Sequence, residues 1–173
     1  MYKRILAPID GSDTAKRAFD IALETARENH AELIPLFIVD VPMVAYQAPG
    51  CDPSIVRDAL LQEGENLKTE ALAAMQRENV KGTPRVVEAE VPGSDVAQCI
   101  LDEAHKTQAD LVVMGTHGRR GVRRLMLGSV AERFARMSSC PVLLIPGSAA
   151  SASPAHAATA SAAAAAQSEK EPS

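Results

Sequence analysis

Aromatic residues are nearly missing from this chain: it has no tryptophan, and two tyrosines and three phenylalanines make up only 3% of its 173 residues. Its core must therefore rest on Ile, Leu, Val and Ala. Cysteine is scarce too. Cys51, Cys99 and Cys140 form no CxxC pair and no metal-ligand spacing with histidine, and so odd and sparse a set reads as reduced thiols in a cytoplasmic protein. Basic charge is not in excess, because 18 Lys and Arg stand against 22 Asp and Glu, a net charge of -4. No global basic field points to nucleic acid.

Long apolar runs are absent as well. After Met1-Tyr2-Lys3-Arg4 only Ile5 to Ile9 precede Asp10, too short an apolar stretch for a signal peptide. Nothing later suffices to span a bilayer, and the alanine-rich end is interrupted by Ser, Thr, His and Pro. The expectation is a cytoplasmic protein with no membrane segment. Hydrophobic content of 46% and charged content of 23% are ordinary for a globular chain, and the length suits one domain with an appendage.

Patterning supplies the fold. Lys3 to Ile9 reads as a first strand, and Asp10-Gly11-Ser12-Asp13 as a turn in which Ser12 or Asp13 caps a helix. Ala15, Ala18, Phe19, Ala22, Leu23 and Ala26 then recur at helical spacing on one face. Glu32 to Val39 is a second strand, Asp40 to Asp52 a loop, and Pro53 to about Asn79 a long helix weakened locally by Gly64. Val56, Leu60, Leu67, Ala71 and Met75 mark its inner side. Arg85 to Val91 is a third strand, and Gly93-Ser94 is expected to cap a helix with Val96, Ile100 and Ala104 inward. Leu111 to Met114 is a fourth strand, Val130, Phe134 and Met137 mark another helix, and Pro141 to Ile145 is a fifth strand.

Such alternation predicts an α/β fold: one doubly wound, five-stranded parallel sheet with helices on both faces, Rossmann-like. Ligands of doubly wound sheets sit at the carboxyl ends of strands where the winding reverses. With strand order 3-2-1-4-5, the unusual loops after strands 1 and 4 meet at that crevice. Residues 1–147 form the expected domain. From Ser148 to Ser173 there is no Leu, Ile, Val or Phe, and this Ala/Ser-rich tail is expected to be disordered.

The organising stretch runs from Leu111 to Val130. A buried apolar strand is broken by Gly115 and Gly118, followed by Arg119, Arg120, Arg123 and Arg124, and closed by Gly128-Ser129 at a new helix. A glycine-rich loop leading into a helix start turns free backbone amides and the helix dipole toward a phosphate. Gly115 and Gly118 let the backbone approach phosphate oxygens and adopt positive φ. Ser129 offers a hydroxyl and an amide, and one or two of the arginines can add charge-assisted bonds. Asp10 can ligate a hard cation or accept from a ribose hydroxyl. Neither GxxxxGK[ST] nor GxGxxG occurs here, which disfavours a P-loop and NAD. His117 is the only histidine in this stretch, and a lone loop histidine is more often solvated than catalytic.

The spacing Gly115-x-x-Gly118-x9-Gly128-Ser129 resembles the ATP-binding signature of universal stress proteins. The opening Lys3-Arg4-Ile5-Leu6-Ala7-Pro8-Ile9-Asp10-Gly11-Ser12 and the closing Ser139-Cys140-Pro141-Val142-Leu143-Leu144-Ile145-Pro146 are similar to that family too. The resemblance implies that Pro8 and Ile38 line the adenine and ribose pocket and that Asp10 lies near the ribose and the metal-phosphate region. It makes Gly115, Thr116, His117 and Gly118 the start of a phosphate loop continuing through Arg119, Arg120 and Gly121. Gly128, Ser129 and Val130 become the helix start that holds the phosphates. It further implies ATP with magnesium or manganese, and a homodimer paired through strand 5, Val142 to Ile145. The function expected is a stress-response regulator or sensor with an unidentified protein partner. The alternatives are a slow ATPase or phosphotransferase, for which only Asp10 or His117 is at hand as a base, an interaction module that does not use ATP, and an electron-transfer flavoprotein-like module.

Overall fold

A computed structural model describes residues 1–90, 93–117 and 127–147. The expected tail, the end of the third strand at Val91, and Gly118, Arg119, Arg120, Gly121, Arg123 and Arg124 lie outside the described residues.

Five strands form one parallel sheet in the order β3-β2-β1-β4-β5. They are β1 (Arg4–Pro8), β2 (Glu32–Val39), β3 (Arg85–Glu88), β4 (Leu111–Gly115) and β5 (Val142–Ile145). The helices are α1 (Asp13–Asn29), α2 (Met43–Gln47), α3 (Pro53–Arg77), α4 (Val96–Thr107) and α5 (Ser129–Met137). The expected doubly wound architecture and strand order are those observed.

Alternation along the strands divides the core in two. Ile5, Ala7, Leu33, Leu111 and Val113 point to one face, where Ala18, Ala22, Leu23 and Ala26 of α1 and Met75 of α3 cover them. Leu6, Ile34, Leu36, Val112 and Met114 point to the other, against Ala97, Ile100 and Ala104 of α4 and Ala131 and Phe134 of α5. Small alanines on α1 and α4 let both helices approach the sheet closely, which suits a core short of aromatics. The chain leaves β1 toward the α1 face and β4 toward the α5 face. The two central neighbours therefore open a crevice between them, the switch point of a doubly wound sheet.

Several boundaries differ from the sequence expectation. The stretch expected as a loop from Asp40 to Asp52 contains α2: Pro42 presets its first turn with φ -58°, and Ala45 is buried beneath it. The helix expected to be capped by Gly93-Ser94 is capped by Asp95, whose carboxylate accepts from the Ala97 amide at 3.1 Å. Gly93 instead forms a turn with φ +69° and donates to Asp40 at 3.2 Å. Gly115 does not break β4. It is the last strand residue, in register with Ile145 of β5. Gly64 matters for packing more than for propensity, since a Cβ there would meet Phe37 Cδ1 at 2.8 Å and Val86 Cγ1 at 3.0 Å. Only a glycine lets α3 lie this close to the sheet. Ser12, of the two residues proposed to cap α1, is the one that does so, its hydroxyl accepting from the Ala15 amide at 3.3 Å.

Among the described residues, no helix is long and apolar enough to cross a membrane.

Candidate functional site

The first wall of the crevice is the turn after β1. Asp10 Oδ1 accepts from the Ser12 amide at 3.0 Å and from its hydroxyl at 2.6 Å, closing an Asx turn. Gly11 sits in this turn at φ +80°, a conformation glycine adopts without strain. Ser12 in turn caps α1, so the Ala15 amide at the start of this helix already has a side-chain acceptor.

The second wall is the end of β4. The Thr116 amide donates to Ile145 O at 2.9 Å, carrying the sheet pairing one step past Gly115. Thr116 O then accepts from the Gly128 amide at 2.7 Å, which brings the start of α5 back beside the strand it left. A Cβ on Gly128 would lie 2.9 Å from Thr116 O and 3.5 Å from His117 Cα. The glycine is required by this close approach, not by its dihedrals, since its φ is -61°. Gly115 is likewise outside the left-handed region, against the expectation of positive φ. Its Cβ would meet the carbonyl carbon, Cβ and Oγ1 of Thr14, each at 3.0 Å. Both glycines thus serve contact between elements.

Helix α5 has Gly128 as its N-cap and no side-chain cap hydrogen bond. The longer helices α1, α3 and α4 are capped by Ser12, Asp52 and Asp95. The first amides of α5 therefore carry the partial positive charge of a helix start with no side chain of the cap to answer it. Ser129, exposed, and Val130, half-buried against the α4–α5 core, occupy this first turn.

The two walls touch. Thr14 Oγ1, in the first turn of α1, donates to His117 O, and also lies 3.2 Å from Ser12 Oγ. The His117 ring is held by Thr116, whose hydroxyl is 2.9 Å from Nδ1. Its Nε2 is shut off from solvent and has no hydrogen-bond partner among the described residues. Pro8 and Ile38 stand at the carboxyl ends of adjacent strands, Pro8 in register with Leu36, and Ile38 is half-buried against the α4–α5 core. Of the residues singled out from sequence, Asp10, Gly115, Thr116, His117, Gly128 and Ser129 converge on the crevice. Gly118, Arg119, Arg120 and Gly121 lie outside the described residues. Thr14 was missed, because a threonine in a helix's first turn gives no local sign of a bond to a residue 103 positions away.

Comparison with known proteins agrees with this architecture. The profile of the universal stress protein family matches residues 1–146. A universal stress protein of Methanocaldococcus jannaschii is 36% identical over 146 residues, covering 84% of this chain and 82% of that protein. A crystal structure of a universal stress protein family member from Burkholderia pseudomallei is 44% identical with a TM-score of 0.71, covering 84% of this chain and 97% of that one. A universal stress protein crystallised in complex with cAMP is 25% identical with a TM-score of 0.59, covering 85% of this chain and 98% of its own. The chain belongs to the universal stress protein family.

Proposed function

We propose that the crevice between the β1 and β4 loops binds an adenine nucleotide, with ATP as the resident ligand, and that the protein is a stress-response regulator working in the cytoplasm. The observation that carries this reading is the start of α5. Its amides lack a side-chain cap and lie against Thr116 and His117 at the switch point of the sheet. An anion placed there gains several oriented N–H groups and a favourable dipole. The complex of a family member with cAMP supports an adenine nucleotide as the source of that anion. In this reading Gly115, Thr116, His117, Gly118, Arg119, Arg120, Gly121, Gly128, Ser129 and Val130 hold the phosphates. Pro8 and Ile38 flank the base and ribose, and Asp10 stands near the ribose. Residues 1–147 are the nucleotide-binding unit, which the family match to residue 146 supports.

The donor set fits a nucleotide-borne cation better than a resident one. Among the described residues no three His, Cys, Asp or Glu side chains converge to hold a metal ion. Asp10 Oδ1 already accepts two hydrogen bonds from Ser12. Magnesium or manganese would arrive with the ATP phosphates, with Asp10 near it. The three unbridged thiols suit a reducing compartment. A homodimer through β5 completes the proposal.

The test is to denature freshly purified protein, identify any released nucleotide by chromatography, and titrate ATP with and without magnesium into stripped protein. Co-purified adenine nucleotide, or saturable ATP binding that Gly128→Ala weakens, supports the reading. No nucleotide and no binding up to millimolar ATP overturns it.

A further inference from the structure

The crevice between β1 and β4 stands at the carboxyl ends of the strands; the opposite end of the sheet carries a cavity of its own. It measures about 310 Å³ and lies between the amino ends of β1, β2 and β3 and the last turn of α4. Strand alternation puts its charged walls on one face of the sheet. Arg4 is in register with Glu32, each two residues before a member of the α4–α5 core, Leu6 and Ile34, and Arg85 is in register with Leu36 of that core. Ile34, nearly buried, supplies the apolar lining.

The walls are fixed. Asp110 accepts from the Lys3 amide at 2.8 Å and from the Arg4 amide at 3.0 Å, and Gln108 Oε1 accepts from Arg4 Nη1 at 2.7 Å. On the far side the Leu33 amide donates to Lys81 O at 2.8 Å. Gly82, at φ +140°, lies so close to β2 that a Cβ there would collide with Leu33 O. The buried Glu103 carboxylate pairs with Arg85 Nε and with Lys106 Nζ, each at 3.0 Å. It holds the Arg85 guanidinium by one side: among the described residues, the two terminal nitrogens make no hydrogen bond. Arg4, Arg85 and Lys106 together face Glu32 and Glu103, which leaves one positive charge in excess. The negative end of the α4 dipole points here as well, but the Thr107 hydroxyl and the Gln108 and Ala109 amides already answer its last carbonyls.

A guanidinium held through Nε presents its terminal N–H groups as the fork that fits an oxyanion. One excess charge matches a carboxylate. A phosphate monoester brings nearly two negative charges and would meet the Glu32 carboxylate in the same wall. We propose that this cavity binds a small organic acid, its carboxylate on the free edge of Arg85 and its apolar part against Ile34. The site is separate from the nucleotide crevice and does not depend on it. Both arginines stand partly in water, so the affinity for a minimal acid should be about millimolar.

The experiment is ¹H–¹⁵N correlation NMR of the full chain titrated with butyrate, with its neutral counterpart butyramide, and with inorganic phosphate. Butyrate should move the Thr83, Arg85 and Thr107 amides saturably, and butyramide should not. Arg85→Gln should weaken butyrate about tenfold or more, and Arg85→Lys, which keeps the charge but loses the fork, severalfold. Arg57→Gln, on the same sheet edge but outside the cavity, should change nothing. If Arg85→Gln fails to fold, Arg85→Lys, which can still pair with Glu103, carries the comparison. No saturable shift up to tens of millimolar butyrate overturns the inference, as does an equal response to butyramide or unchanged affinity in a folded Arg85 variant. An equal response of these amides to phosphate overturns the assignment to a carboxylate. Displacement of butyrate by AMP would place it in the crevice instead, and would overturn the separate site.

Discussion

Thr14 Oγ1 donates its hydrogen bond to the carbonyl oxygen of His117, and through it the loop after β1 is tied to the loop after β4. The same residue is the surface on which two glycines rest. A Cβ at Gly115 would meet Thr14 backbone and side chain at 3.0 Å, and one at Gly147 would meet Thr14 Cγ2 at 3.1 Å. Thr14 therefore fixes the ends of β4 and β5 against the start of α1, and sets the width of the crevice.

Thr14→Val keeps the shape and removes the hydroxyl. His117 O, part-buried, then loses this donor, which should cost about 1–2 kcal/mol of stability in urea unfolding. Nucleotide affinity should fall with it, because the two walls are no longer held in register. Thr14→Ser separates the two contributions: it keeps the donor and loses the methyl beside Gly147, so binding should survive a small loss of stability. Equal behaviour of the two variants would show that the hydrogen bond does not set the site.

Gly115→Ala and Gly128→Ala should each destabilise by about 1–3 kcal/mol, since the new methyl meets backbone atoms that cannot swing aside. At Gly128 the clash at 2.9 Å falls on Thr116 O, the acceptor of that glycine's own amide, so ligand binding should suffer more than stability. Gly50→Ala is the control. Nothing lies within 4 Å of a Cβ there, but φ is +76°, so a stability cost of about 1 kcal/mol is expected from backbone strain alone, with nucleotide affinity unchanged. Thermal melts and calorimetry on the three variants decide it; loss of binding in Gly50→Ala would show that stability alone governs the site.

The thiols should separate by reactivity. Cys51 is exposed, and Cys99 is half-buried on α4. Burial pushes the Cys99 thiol up from its ordinary value, and the negative charges of Asp102, Asp40 and Asp95 push it the same way. A raised thiol value means less thiolate at pH 8, and the thiolate is the reacting form. Mass-spectrometric labelling should therefore modify Cys51 well before Cys99, with the gap closing in urea and narrowing as pH rises further. Faster labelling of Cys99 in the folded protein would contradict this account.

Features that repeat locally were legible in the sequence. The alanine face of α1 and its Ser12 cap, the alternation that implies parallel pairing, and the reversal between β1 and β4 all follow from short-range pattern and chain-order rules. What was not legible depends on which residues meet across the fold. Nothing in Gly115 distinguishes a glycine needed for positive φ from one needed for contact with Thr14, because both demands select the same residue. Asp95 and Gly93-Ser94 compete as caps within three positions, and only the turn that Gly93 makes with Asp40 decides between them. The short α2 hides among prolines and glycines that ordinarily mark loops. Six of the ten resemblance-based loop and helix-start positions, Gly115, Thr116, His117, Gly128, Ser129 and Val130, lie among the described residues, and they cluster because a strand end and a helix start close on each other.

The two edges of the sheet differ in a way that bears on assembly. At the β3 edge, Arg57 of α3 grips Glu88 through Nε and Nη2 at 2.7 and 2.9 Å, and Arg85 pairs with the buried Glu103 at 3.0 Å. Charged side chains on an edge strand oppose pairing with another chain. At the other edge β5 pairs among the described residues with β4 alone, carries no charge in Val142–Ile145, and leaves Leu143 40% exposed. An uncharged apolar edge is the one fit to receive a second copy. Leu143→Lys should therefore weaken a β5-paired dimer about tenfold or more while leaving the monomer's fold intact, because the side chain is already partly in water. Light scattering over a concentration series, with circular dichroism as the check on folding, measures this. A wild-type protein that stays monomeric at every concentration, or a dimer indifferent to Leu143→Lys, would remove β5 as the interface.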